Sequence, residues 1–199
     1  MKIIGGKKEE MILDMLDKSY RGLMNNKQGS FFENRIIGGC IGYDLFNRAF
    51  IEKTPEPFKI SKPIGQGKFQ GSFTKKAQPD FKGTLKFGKA IVFEAKYTSQ
   101  DKMNASVLSD EQIKCLKKHY DLGAITGVVI GIKERAFFVP WRLWSVMKEE
   151  YNRAYLKIED IKAYEVKQDL NCIKFLDLKS GQKIENMEFY SRPISCIEE

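Results

Sequence analysis

Apolar side chains recur at three- and four-residue spacing from Glu9 to Met24 (Met11, Ile12, Met15, Leu16, Tyr20, Leu23), the period of an amphipathic helix. Asn25-Asn26-Lys27-Gln28-Gly29 ends it, and Ser30 is placed to cap a second helix, with Glu33 reaching back in a capping box. That helix runs through Ile36, Ile37, Cys40 and Ile41 toward Phe46. Its Gly38, Gly39 and Gly42 lower helix propensity, so a neighbour is expected to press closely against it. Residues 80–87 and 89–97 read as two strands joined at Gly88-Lys89, where glycine supplies the backbone angle of a tight turn. Period two puts Ile91, Phe93 and Ala95 on one face of the second strand and Val92, Glu94 and Lys96 on the other. With the turn there, residue 80 lies opposite about residue 97, and Asp80 arrives at the same hairpin end as Glu94 and Lys96.

Ser109-Asp110-Glu111-Gln112 opens a further helix with an apolar face of Ile113, Leu116 and Tyr120, stopped by Gly123. Ala124 to Ile132 is apolar and β-branched, as a buried central strand should be, and Ala136 to Pro140 can pair with it across Lys133-Glu134-Arg135. Strand, crossover helix, strand implies a parallel pair. Trp141 to about Tyr155 is again helical in pattern, and Cys172–Asp177 with Glu188–Tyr190 suggest a terminal hairpin around Ser180-Gly181.

Residues 52–79 form the least regular stretch, and Tyr97–Leu108 reads as a polar loop. The 52–79 stretch holds Pro55, Pro57, Pro63 and Pro79, three glycines, six lysines, and Phe58, Phe69 and Phe73. Two readings stay open: a solvated loop, or a basic, aromatic arm whose Lys62, Lys68, Lys75 and Lys76 meet phosphates while Phe69 and Phe73 stack on bases.

Length and composition suit one folded domain over 1–199, with 150–199 an extension of unassigned role. The net charge of +8 favours a polyanionic partner such as nucleic acid. Cys40, Cys115, Cys172 and Cys196 form no C-x-x-C pair and His119 is the one histidine, which argues against structural zinc and for reduced thiols in a cytoplasmic protein. No apolar run is long enough to span a membrane, and the charged start does not resemble a signal peptide.

The chemistry is concentrated at Gln78-Pro79-Asp80-Phe81 and Val92-Phe93-Glu94-Ala95-Lys96-Tyr97. Phosphodiester hydrolysis needs a divalent cation, and Mg²⁺ takes oxygen ligands; Asp80, Glu94 and the Ala95 carbonyl can supply them. Lys96 would then orient the attacking water or stabilise charge on the phosphate. The competing reading is an ion pair on an exposed strand face, although two charges closing a hydrophobic run need a reason to be there. Glu33 and Gln112 each suit either a helix cap or the site, and Thr98 either the site or an ordinary strand position. His119 reads as a cation at a helix C-terminus, Lys114, Lys117 and Lys118 as a possible phosphate rim, and Trp141 and Trp144 as packing residues. Gly65-x-Gly67 lacks the full phosphate-loop pattern.

Pro79-Asp80 and Glu94-Ala95-Lys96, in the order helix, hairpin, helix, strand, resemble the PD-(D/E)xK nuclease superfamily, whose core is α-β-β-β-α-β. Over about 29–145 the chain is similar to the RecU-type Holliday junction resolvases of Gram-positive bacteria and their phages. That likeness rests on Gly29-x-x-x-Glu33, Asp80-Phe81-x-Gly83, Phe93-Glu94-Ala95-Lys96 with Thr98, Gln112, and Phe137-Phe138-Val139-Pro140-Trp141. The resemblance implies an α/β, restriction-endonuclease-like core with a central mixed sheet flanked by helices, and a projecting stalk at 52–79. It implies a homodimer that nicks branched DNA at four-way junctions with Mg²⁺, or Mn²⁺ in its place, in recombination and repair. Asp80, Glu94 and Ala95 would hold the metal, Glu33 would complete its shell, Lys96 would position the water, and Gln112 would orient it or the phosphate. The alternatives are a restriction-like, flap or nicking nuclease, or a non-catalytic DNA-binding factor on the same fold.

Overall fold

The computed structural model describes residues 27–55, 58–73 and 78–186. The helix expected over 9–24, the strand expected at Glu188–Tyr190, and Lys75, Lys76 and Cys196 lie outside these residues. A five-stranded mixed sheet in the order β1-β4-β5-β7-β8 organises the rest, built from β1 Ala49–Lys53, β4 Phe81–Leu85, β5 Ala90–Thr98, β7 Ile125–Ile132 and β8 Arg135–Pro140. The β5–β7 pair is parallel, as the strand–helix–strand order required, and the other three pairings are antiparallel. β1 was not foreseen: its five residues hide between a helix end and the proline-rich stretch, too short to show a period.

Helix α1 (27–45) covers one sheet face with Phe32, Ile36, Cys40 and Tyr43, packed with Ile91, Phe93 and Ala95 of β5. Residues 27–29 are already helical, so Ser30 sits inside α1 and forms no N-cap with Glu33. Ile41, expected on the apolar face, is exposed. The other sheet face, with Val92, Val128 and Val139, is covered by α2 (Asp110–Asp121) and α3 (Trp141–Tyr151). Period two on β5 thus sorts its side chains as expected, but both of its faces are buried. Trp141 and Trp144 pack into this second core.

The neighbour pressed against α1 is the C-terminal segment. There β10 (Val166–Gln168) pairs with β11 (Ile173–Leu178). A Cβ on Gly39 would lie 2.2 Å from the Ile173 carbonyl oxygen, whereas one on Gly42 would meet nothing. Gly39→Ala should therefore cost about 1–3 kcal/mol through forced repacking. Gly42→Ala should gain up to about 1 kcal/mol from helix propensity. Urea unfolding of both variants checks this, and like signs would refute the close-packing account. Tyr43 also donates its hydroxyl to Asp177, Arg48 pairs with Asp177 at 2.7 Å, and Glu165 holds Arg135 and Lys179, so the described segment from Glu165 to Ile184 is part of the core.

Residues 58–73 are not irregular. β2 (Phe58–Gly65) and β3 (Lys68–Phe73) form an antiparallel ribbon outside the main sheet, turning at Gly65-Gln66-Gly67 with three positive φ angles. Every residue of β2 is exposed. Irregular register and Pro63 within β2 mask its period in the sequence. The Gly65-x-Gly67 motif is this ribbon's turn. No helix among the described residues is long and apolar enough to cross a membrane.

Candidate active site

Two buried phenylalanines set the geometry. Phe81 and Phe93 are direct partners in the β4–β5 register, both fully buried, with rings stacked at 5.0 Å. Such a pair adds about 0.5–1.5 kcal/mol beyond burial and resists slippage. Carried one step further, that register sets Asp80 across from Glu94, three positions from the expected partner near residue 97. The turn is wider than a two-residue hairpin, with a 3-10 segment at Lys86–Gly88. From the other side the Asp80 carbonyl accepts the Thr54 N–H at 2.8 Å, which ties this corner to β1.

The side chains form one connected network. Asp80 Oδ2 accepts the Ala95 N–H at 2.9 Å and the Lys96 ammonium at 3.1 Å. Lys96 also donates to Glu94 Oε2 at 3.0 Å, and Gln112 Nε2 donates to the same oxygen at 2.5 Å. The Glu94 side chain is 0% exposed, which excludes the exposed-strand ion pair. Its second oxygen, Oε1, is buried with no hydrogen-bond partner.

Burial, then a hydrogen bond with and repulsion from Asp80, push the Glu94 carboxyl up to about 8, against the pull of Lys96. Burial works against the Lys96 charge, but Asp80 and Glu94 outweigh it and leave the ammonium above the usual lysine value. Lys96 therefore stays protonated near neutral pH and acts as a donor, not as a base.

Gln112 caps its own helix and also hydrogen-bonds Glu94. Its Oε1 accepts the Ser109 N–H at 3.0 Å, Ser109 Oγ accepts the Gln112 N–H at 3.3 Å, and its Nε2 fixes Glu94. Substitution should separate the two. Gln112→Glu retains the capping box yet sets a carboxylate against Glu94, so stability should hold within about 1 kcal/mol while cleavage falls about 10–100-fold. Gln112→Ala should lose about 1 kcal/mol as well as activity. Thermal melts beside nicking rates test this; equal activity of Gln112→Glu and wild type would leave Gln112 a cap only.

Other candidates lie elsewhere. Glu33 Oε2 pairs with Lys53 Nζ at 2.5 Å, and no contact joins it to Asp80 or Glu94 among the described residues. Lys53 carried no distinguishing sequence signal. Thr98 accepts the Gln100 N–H in a local turn. Lys62, Lys68 and Phe69 are exposed on the ribbon, which leaves the chain just before Asp80. His119 lies in the last turn of α2, where partial burial, Lys118 and Lys82 lower its pKa.

No three Asp, Glu, His or Cys residues converge as a metal cage among the described residues. Mg²⁺ commonly takes only one or two carboxylates and completes its shell with water and phosphate oxygens, so Asp80 with the unpartnered Glu94 Oε1 fits it. A structural zinc site does not fit this donor set.

A family model described as RecU, Recombination protein U, matches residues 27–181. The chain belongs to the RecU family. RecU proteins are Holliday junction resolvases, and the chain is accordingly a nuclease of DNA recombination. Among solved structures it is similar to Hjc of Archaeoglobus fulgidus, a Holliday junction resolvase from an archaeal hyperthermophile. That similarity covers 58% of this chain and 78% of Hjc, with 14% identity and a TM-score of 0.38. No curated protein matches the chain. The RecU match takes in α1, the ribbon, the Asp80–Glu94–Lys96–Gln112 network and most of the C-terminal segment.

Proposed function

We propose that this RecU-family chain cuts four-way DNA junctions by Mg²⁺-dependent hydrolysis at Asp80, Glu94, Lys96 and Gln112, as a cytoplasmic homodimer. The observation that carries the reading is the buried, unpartnered Oε1 of Glu94 beside Asp80 and Lys96. A carboxylate oxygen without a donor is costly unless a cation completes it. When bound, Mg²⁺ would offset charge on the phosphate and lower the pKa of the attacking water; Mn²⁺ has the same preference for oxygen.

Asp80, Glu94 and the Ala95 carbonyl would hold that cation, and Glu33, paired with Lys53, would reach its shell only through water. Lys96, protonated and able to release one carboxylate for the phosphate, orients the water and stabilises negative charge as it develops. Gln112 keeps Glu94 in one rotamer, so that its free oxygen is aimed before substrate arrives. The ribbon contacts the junction through Lys62, Lys68 and Phe69, with Phe73, Lys75 and Lys76 continuing the basic, aromatic stretch. Two-fold symmetry suits a substrate with two equivalent strands.

A synthetic four-way junction beside a linear duplex of the same sequence tests this, in Mg²⁺, in Mn²⁺ and in chelator. Paired nicks in the junction, dependent on metal, are expected. No cutting of any DNA sinks the hydrolytic reading, and equal cutting of duplex sinks only the junction preference. Replacing 59–72 by a short glycine-serine link should weaken junction binding about tenfold or more, because it removes several phosphate contacts. Unchanged binding would make the ribbon a bystander.

A further inference from the structure

The hairpin that carries Asp80 at one end carries an unassigned feature at the other. β4 and β5 turn through Lys86, Phe87, Gly88 and Lys89, and Phe87 takes φ +73° with its side chain 96% exposed. A left-handed backbone costs a bulky residue about 1 kcal/mol or more, and an exposed ring recovers nothing from burial. The fold therefore gives no reason for phenylalanine at this position.

Its surroundings point to a ligand. Phe87, Phe46 (83% exposed), Lys86, Lys89 and Lys183 rim a half-open concavity of about 630 Å³. Arg48 lines it too, already held by Asp177, and no carboxylate is among its lining residues. Lys86, Lys89 and Lys183 have no ion pair among the described residues, and the Lys86 ammonium stands 5.4 Å from the Phe87 ring centre. Charge of one sign next to exposed rings matches nucleic acid, in which lysines meet phosphates and a ring meets a base face. The five residues of β4 put this rim roughly 17 Å from the Asp80 end, about five base pairs along a duplex.

We propose that the 86–89 turn, with Phe46 and Lys183, is a second DNA-contacting surface, separate from both the ribbon and the cleavage centre. It holds a flank of the substrate about five base pairs from the cut. The assignment rests on the nuclease reading.

The test measures binding of a fluorescent four-way junction without metal, and nicking separately with Mg²⁺. Phe87→Gly relieves the backbone while it removes the ring, so Tm should hold or rise while affinity falls about fivefold or more. Lys86→Glu combined with Lys89→Glu should weaken binding at least about tenfold at low salt and reduce the log–log salt slope by about two. Cleavage at saturating junction should stay at the wild-type rate in both. Unchanged affinity and salt slope would overturn the proposal and leave an acidic protein or bare solvent as the occupant. A lower Tm for Phe87→Gly would also overturn it, by assigning the ring to the fold. Wild-type protein that binds but never cuts would instead defeat the nuclease reading.

Discussion

Asp80→Asn will bind a four-way junction about as well as wild type and cut it on the order of a thousandfold more slowly. Asparagine keeps an acceptor for the Ala95 N–H but loses the charge that a cation and Lys96 both need. It also removes the negative neighbour that helps raise the Glu94 pKa, so Glu94 should titrate closer to an ordinary carboxyl. The variant should thus be no less stable at neutral pH, and a loss of cutting cannot be attributed to unfolding. Lys96→Ala should lose activity to a similar degree, but with a stability cost of about 1–3 kcal/mol, because Asp80 loses its cation and the buried Glu94 Oε2 loses a donor. Nicking rates, junction binding without metal and thermal melts of both variants check these outcomes. Wild-type cutting by either one would place the centre elsewhere.

Mg²⁺ affinity should rise about tenfold per pH unit from pH 5 to about 8 and level off above. Glu94 is the source: folded and metal-free, it holds its proton up to about 8, well above the unfolded value of a glutamate. Between those two values the folded state binds the extra proton, so metal-free stability falls as pH rises. A cation reverses the dependence by requiring the ionised carboxylate. Calorimetric titration in two buffers of different ionisation enthalpy should give release of nearly one proton at pH 6.5 and almost none at pH 9. Glu94→Gln should release none. A pH-independent affinity with no proton release would refute Glu94 as a ligand.

Much of this site was legible from short-range pattern. Period two on β5 placed Glu94 and Lys96 on one face, and Ser109-x-x-Gln112 marked the start of α2. The apolar run of β7 identified the central strand, and its parallel pairing followed from the helix between. Where local signals competed, they misled. Ser30 has the chemistry of a cap, yet α1 continues on its N-terminal side. The ribbon's bulges and Pro63 break the alternation by which a strand is recognised.

By itself the sequence determined α2, α3 and the strands β4, β5, β7 and β8, which side chains of β5 share a face, and that two acids and a lysine lie near one end of a hairpin. These properties depend on neighbours a few residues away. Only the tertiary structure decided that Asp80 faces Glu94, through the Phe81–Phe93 stack and a turn widened by a 3-10 segment. It also decided that Gln112 reaches Glu94 while capping its own helix, that Glu33 is held by Lys53, and that residues after 150 pack against Gly38 and Gly39. The reason is physical: register, burial and the charge state of Glu94 depend on contacts between residues far apart in the chain, and no local period encodes these.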